Sequence, residues 1–241
     1  VLREELSEGI VAITLNRPES LNALSPALFS ELNQIVTELS KQTDSVGCVI
    51  LRGAGRCFSA GNDLKAVRSG VKAKEKFFQA KTIDLIEKLP QPTIASVHGH
   101  CLTGALELAL ACDLMITSES ANLADTHGKW GMVPGWGMSV RLPRRVGLLK
   151  AKEMMFTGMS INGLQAVEIG LSSQCVADDH LKVSTLDLAE SIVKNSWHTN
   201  FADKKLFLDN ENHFHDASLK MEREQSACLL YTSPSPRDRV Q

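Results

Sequence analysis

Apolar runs separated by helical stretches constrain this chain more than any other feature. Val46 to Leu51 holds no charged residue and ends at Arg52-Gly53, and Pro92 to Val97 and Leu114 to Thr117 repeat the pattern. A strand without hydrophobic alternation is covered on both faces, as parallel strands joined by crossover helices are. Ile10 to Leu15 reads as a further short strand. Between the runs, Ser25 is placed as an N-cap with Pro26 at the first helical position. Leu28, Phe29, Leu32, Ile35, Val36 and Leu39 then recur at helical spacing. Lys72 to Leu89 predicts a second helix with Phe77, Ile83, Leu85 and Ile86 toward the core, broken by Pro90 and Pro92. Thr103 to Cys112, Leu148 to Phe156, Leu164 to Ile169 and an amphipathic Leu181 to Val193 read as helices too. Strand–helix units in this order imply a layered α/β core with parallel pairing.

At 241 residues the chain can bury one substantial core, or one core with a helical appendage. A net charge of −2 gives no push toward nucleic acid or an anionic membrane surface. No apolar run reaches the roughly 18 residues of a membrane span. Cysteines 48, 57, 101, 112, 175 and 228 form no Cys-x-x-Cys pair. Most lie in or beside apolar segments, which fits reduced thiols and a cytoplasmic location. The first residue is Val1, so an organellar targeting segment is not excluded. No metal-ligand spacing occurs. His98 and His100 share a strand face, yet no thiol or carboxylate partner is evident beside them, and no metal site is expected.

Chemistry concentrates in two segments. In Gly99-His100-Cys101-Leu102-Thr103-Gly104-Ala105-Leu106-Glu107 a carboxylate follows a glycine by three positions, where a strand turns into a helix. The first N–H groups of a helix lack internal partners, and the dipole makes that end mildly positive. Residues i and i+3 share a face, so the Gly104 N–H and the Glu107 carboxylate can address one pocket. A donor for developing negative charge beside a general acid/base suits chemistry next to a carbonyl. The plainer reading has Gly104 allow close packing and Glu107 complement the helix start. The second segment, Gly53-Ala54-Gly55-Arg56-Cys57-Phe58-Ser59-Ala60-Gly61-Asn62-Asp63-Leu64, combines tight turns with room for a ligand to approach main chain. It fits neither Gly-x-x-x-x-Gly-Lys-Ser/Thr nor Gly-x-Gly-x-x-Gly, so a nucleotide-phosphate loop is disfavoured.

The two segments in this order, roughly 40 residues apart, resemble the crotonase superfamily, also called the enoyl-CoA hydratase/isomerase family. Asn16-Arg17-Pro18-Glu19-Ser20-Leu21-Asn22-Ala23-Leu24 resembles its N-terminal signature. Ala111-Cys112-Asp113 resembles the close of its first catalytic helix. Gly131-Met132-Val133-Pro134-Gly135-Trp136-Gly137 with Arg141-Leu142 resembles its second active-site loop. Gly158 with Ala166, Glu168, Gly170 and Leu171 resembles the stretch after it. The resemblance spans about residues 8 to 226 and implies a spiral of ββα units followed by a C-terminal helical region that packs in a homotrimer or dimer of trimers. It places a crotonase-fold core at 1–194, a partial helical trimerisation region at 195–226 and a non-native tail at 227–241. Lys220 to Gln225 would belong to the last helices, and the composition after Ser226 has no counterpart in the family.

The resemblance further implies a coenzyme A thioester substrate and an enolate whose oxygen is held by the backbone amides of Asn62 and Gly104. Each such donor is worth about 3 kcal/mol in the transition state. Hydratases of the family use two glutamates, one to activate water and one to protonate the α-carbon. Glu107 matches the first. The position of the second, 20 residues on, holds His127. His127 can act as an acid/base, can shape the pocket and leave Glu107 as the only proton carrier, or can be a polar loop residue. Asp125 would supply a carboxylate if the loop is shifted. Leu21, Ala23, Ser59, Ala60, Asp63, Leu64, Thr126 and Pro134 are carried over as substrate and coenzyme A contacts. Arg17 and Lys65 are candidates for phosphates, and Trp130 and Trp136 for walls of the acyl pocket. No metal or redox cofactor is implied; coenzyme A enters as part of the substrate. An enoyl-CoA hydratase-like lyase is the leading expectation. An enoyl-CoA isomerase or acyl-CoA decarboxylase using one carboxylate, or a non-catalytic acyl-CoA-binding subunit, are the alternatives. A serine nucleophile is disfavoured because neither Gly104 nor Ala105 is a serine.

Overall fold

The computed structural model describes residues 1–63, 65–66 and 75–210. Strands β1 (Leu2–Ser7) and β2 (Gly9–Leu15) pair antiparallel through a turn at Gly9, where φ is +75°. Helix α1 (Pro26–Leu39) carries the chain to β3 (Val46–Gly53), which lies parallel to β2. The Ser25 hydroxyl accepts from the Leu28 amide and Pro26 opens the helix. Helix α2 (Phe78–Glu87) leads to β4 (Thr93–Val97), and a turn at Gly99 leads to β5 (His100–Leu102) and helix α3 (Gly104–Leu110). The next unit repeats this order as β6 (Leu114–Ser118) and β7 (Asn122–Ala124), followed by helices α4 (Met138–Val146) and α5 (Leu148–Thr157). Then come β8 (Ser160–Asn162), α6 (Gly163–Glu168), β9 (Gln174–Val176), α7 (Leu181–Val193) and α8 (Trp197–Asn210).

Each turn of the chain places one strand in a large sheet and the next in a small one, which generates the expected ββα spiral. The large sheet runs β1-β2-β3-β4-β6-β9, parallel from β2 onward; the small sheet runs β5-β7-β8. Bridges between Ser59 and Cys101 and between Leu24 and Asn62 extend the small sheet toward the glycine-rich loop. One core lies between the two sheets and the helices around α3. A second lies on the opposite face, where Leu181 and Ala189 of α7 cover Ile10, Ile50 and Ile94. The continuous apolar runs thus arise from strands buried on both faces.

Several expectations shift. Described helix at this point begins at Phe78, and residues 72–74 lie outside the described residues. Phe77 and Leu85, expected toward the core, are exposed. Phe77 sits in the preceding turn at φ +62°, and Leu85 lies about 200° around the helix from buried Ile83. Of the 195–226 region, α8 packs on the core of its own chain. Trp197 fills the space a side chain would need at Gly9 and Gly47. Lys204 reaches inward to the Asp113 carboxylate (2.7 Å) and the Gln91 carbonyl (3.0 Å). Residues 211–226 and the 227–241 tail lie outside the described residues.

Candidate active site

Register in the small sheet creates the site. Leu102 pairs with Ala124, so the chain leaves β5 and β7 side by side. One exit continues through Thr103 into Gly104 and α3; the other continues through Asp125, Thr126 and His127. The two are tied together. The Thr103 amide donates to the Ala124 carbonyl (2.8 Å), and the Thr126 amide donates to the Thr103 hydroxyl (3.2 Å). The two threonine hydroxyls meet at 2.5 Å. Thr103 is held at φ +55°, ψ −110°, a conformation that costs a non-glycine residue about 1–3 kcal/mol and survives only when its surroundings dictate it. These bonds do so, and the result is a sharp entry into α3 with the Gly104 amide at its start.

The glycine-rich loop meets that entry. A Cβ built on Gly61 would lie 2.6 Å from the Leu102 carbonyl and 3.7 Å from the Gly104 nitrogen. Only a residue without a side chain lets the Gly61-Asn62 segment come so close to Gly104. Among the described residues, neither the Asn62 nor the Gly104 amide has an intramolecular acceptor.

Glu107 is buried on α3, itself buried throughout. Its Oε1 accepts from the amides of Trp136 (2.8 Å) and Met138 (3.1 Å). Its Oε2 lies 3.8 Å from His127 Nε2. Burial raises its pKa above the ordinary carboxylate range, against the opposing pull of the two amides and of His127. Asp125 is not a carboxylate aimed into the pocket. It lies behind the imidazole, with Oδ1 2.6 Å from His127 Nδ1 and accepting from the His127 amide at 3.2 Å. His127 is therefore a buried, oriented imidazole and not an unconstrained loop residue.

Trp136 half-covers the site. Its ring occupies the space over Gly104 and meets Phe29 edge to face at 5.1 Å between centroids. The loop that carries it is anchored by Arg141, which donates to the Trp136 carbonyl (2.7 Å), to both Glu87 oxygens (2.8 and 2.7 Å) and to Asp84 (2.7 Å). Arg141 thus fixes the amides that hold Glu107, a role its place in a familiar motif did not disclose. Trp130 is mostly exposed, and Pro134 is half-buried in the 131–137 loop.

The remaining predicted contacts form a stitched pair of loops. Ala60 donates to the Leu21 carbonyl, the Ser59 hydroxyl donates to the Asn22 carbonyl, and Leu24 donates to the Gly61 carbonyl. Ala23 offers its carbonyl to Arg17, whose guanidinium also pairs with Asp63 at 2.9 Å. That pairing, chiefly its hydrogen bond, holds the Asp63 carboxyl below its ordinary pKa. Arg17 is thereby occupied within the protein, and Ser59 is fully buried. Leu64 lies outside the described residues.

Sequence reasoning missed Asn22 as a keystone. Its side chain accepts from the Arg17 amide (2.9 Å) and donates to the carbonyls of Ala54 and Cys57 (both 2.8 Å). Its φ of +54° is one that asparagine tolerates better than most residues. Asn22→Ala leaves three backbone groups unpaired and is expected to cost about 2–5 kcal/mol. Urea unfolding of the two proteins checks this, and Asn22→Asp should fare little better because a carboxylate cannot donate to two carbonyls.

A sequence profile described as enoyl-CoA hydratase/isomerase matches residues 5–234. The Arabidopsis thaliana protein named "Probable enoyl-CoA hydratase 1, peroxisomal" is 36% identical over 189 residues, 78% of this chain and 71% of its own length. The short-chain-enoyl-CoA hydratase of Clostridium acetobutylicum is 34% identical over 194 residues, 78% of this chain and 74% of its own. The crystal structure of an enoyl-CoA hydratase from Bacillus anthracis superposes with a TM-score of 0.90 at 34% identity, covering 96% of this chain and 91% of that one.

Proposed function

We propose that this chain, which belongs to the enoyl-CoA hydratase/isomerase family, adds water across the 2,3-double bond of an enoyl-CoA thioester. The observation that carries the reading is the approach of Glu107 Oε2 to His127 Nε2 at 3.8 Å, with Glu107 three residues along the same helix from Gly104. Hydration needs one group to take a proton from water and another to deliver one at the α-carbon. The site holds two such groups, both buried, and the Asn62 and Gly104 amides have no acceptor of their own among the described residues.

In this mechanism the thioester oxygen accepts from the Asn62 and Gly104 amides. Negative charge moves onto it as water adds at the β-carbon, and each donor lowers that barrier by about 3 kcal/mol. Glu107, carried to the water-activating position, takes the proton. His127 Nε2 accepts that proton from Glu107 and passes it to the α-carbon. Trp136 and Pro134 border the acyl group, and the stitched Leu21–Ala23 and Ser59–Asp63 loops border the coenzyme. The reading calls for no metal or redox cofactor. Exposed Leu148, Leu149 and Phe156 on α5 support burial against further copies, as in a homotrimer. Among the described residues no helix is long and apolar enough to cross a membrane, and the free thiols are largely buried, which suits a cytosol-like compartment.

Loss of the conjugated enoyl absorbance on mixing with crotonyl-CoA tests the proposal. Steady turnover is expected. Coenzyme A binding without any absorbance change would sink it in favour of a binding subunit. Migration of the double bond in a 3-enoyl thioester without hydration would favour isomerisation by Glu107 alone.

A further inference from the structure

We infer that Asp125 is a positioning residue that fixes the Nδ1–H tautomer of His127 and so leaves Nε2 as the proton-accepting atom beside Glu107. The inference rests on the hydration reading for its kinetic consequence, but not for its chemical state. A carboxylate accepts hydrogen bonds and donates none, so an Nδ1 at 2.6 Å from Asp125 Oδ1 must carry the hydrogen. A neutral imidazole has one N–H, and the lone pair then belongs to Nε2. That atom points at Glu107 Oε2 across 3.8 Å, with Glu107 Oε1 already engaged by two amides.

The same Asp125 oxygen also accepts from the His127 amide, at the start of the turn His127–Trp130. Holding that amide alone would be a structural duty, and it is served by any short polar acceptor. The contact to Nδ1 is the separate, chemical one. The two residues between β7 and that turn therefore do two jobs: Thr126 holds the Gly104 entry through Thr103, and Asp125 orients the imidazole. The charged groups facing the imidazole are Glu107 from α3 and Asp125 from its own segment. Lys129 turns its methylenes toward Gly158, and on α5 Lys150 pairs with Glu153 at the surface while Lys152 is exposed.

The direct test is the ¹⁵N signature of His127 in histidine-labelled protein, assigned by its absence in His127→Asn. Wild type should show the Nδ1–H tautomer, and Asp125→Ala should shift it toward Nε2–H, the form free histidine favours. With crotonyl-CoA, Asp125→Ala should lower kcat about 10²- to 10⁴-fold, with KM changed far less. Asp125→Asn keeps a neutral acceptor at Oδ1. It should retain the tautomer and recover much of the lost rate. A wild-type spectrum with the proton on Nε2, or Asp125→Ala with kcat within about threefold of wild type, would overturn the inference. Should Asp125→Ala fail to fold, the wild-type spectrum decides alone. Should wild type show the Nδ1–H tautomer yet hydrate nothing, the hydration reading falls and the assignment of Asp125 stands.

Discussion

Glu107→Gln is expected to lose turnover by about 10²- to 10⁴-fold while folding at least as stably as wild type. The two halves of this result have one cause. The glutamine side chain keeps an oxygen for the amides of Trp136 and Met138 and offers N–H to His127 Nε2, so the hydrogen bonding at this position survives. It cannot take or give a proton. The stability half follows from linkage. Burial raises the folded pKa of Glu107 above the ordinary carboxylate value that the unfolded chain has. Between those two values the native state holds a proton the unfolded state has released. Stability therefore falls as pH rises through that window, and the full cost of burying the ionised group is present above it. Glutamine carries no such cost. The variant should melt above wild type near neutral pH, and the gap should close in acid. Thermal melts at both pH values, with crotonyl-CoA kinetics alongside, check the result. Unchanged turnover, or a variant that melts well below wild type at neutral pH, would mean that Glu107 is there for packing.

How much of this was legible beforehand varies with how local the cause is. Helix α1 declares itself through Ser25, Pro26 and a clean apolar stripe, and α7 matches its expected bounds because its pattern is unbroken. Strands β5, β7 and β8 are three residues each and draw their pairing from one another, so no periodicity marks them. Helix α4 is hidden by Pro143, which the helix accommodates near its end. Within the site, Glu107 and Gly104 could be read because their spacing is itself the geometry. Asp125, Asn22 and Arg141 could not, because each acts through contacts that only the fold brings about. His127 shows the boundary well. Its identity raised three readings, and only the position of Asp125 behind its ring favours one of them.

Gly61→Ala should damage both the fold and the chemistry, and comparing it with Gly104→Ala shows why. At Gly61 the backbone stands at φ +96°, which an alanine reaches only under strain, and the new Cβ would come within 2.6 Å of the Leu102 carbonyl. That carbonyl belongs to β5 and cannot retreat without parting the small sheet. The loop cannot retreat either, since Gly61 donates to the Ser59 hydroxyl and its carbonyl accepts from Leu24. Strain and collision together should cost about 2–5 kcal/mol. Whatever protein still folds should turn over about 10²- to 10³-fold more slowly, because the Asn62 amide no longer sits beside that of Gly104. At Gly104 the obstacle is the Trp136 ring, 2.5 Å from the new Cβ. A half-buried side chain can swing where a strand cannot, so Gly104→Ala should lose less stability, about 1–3 kcal/mol. Its catalytic penalty comes by another route: as the ring moves, the Trp136 amide draws away from Glu107 Oε1. Urea unfolding and crotonyl-CoA kinetics on both variants separate the two. If Gly61→Ala proves as stable and as active as wild type, the glycine-rich loop does not press against the start of α3, and the paired-amide site loses its structural basis.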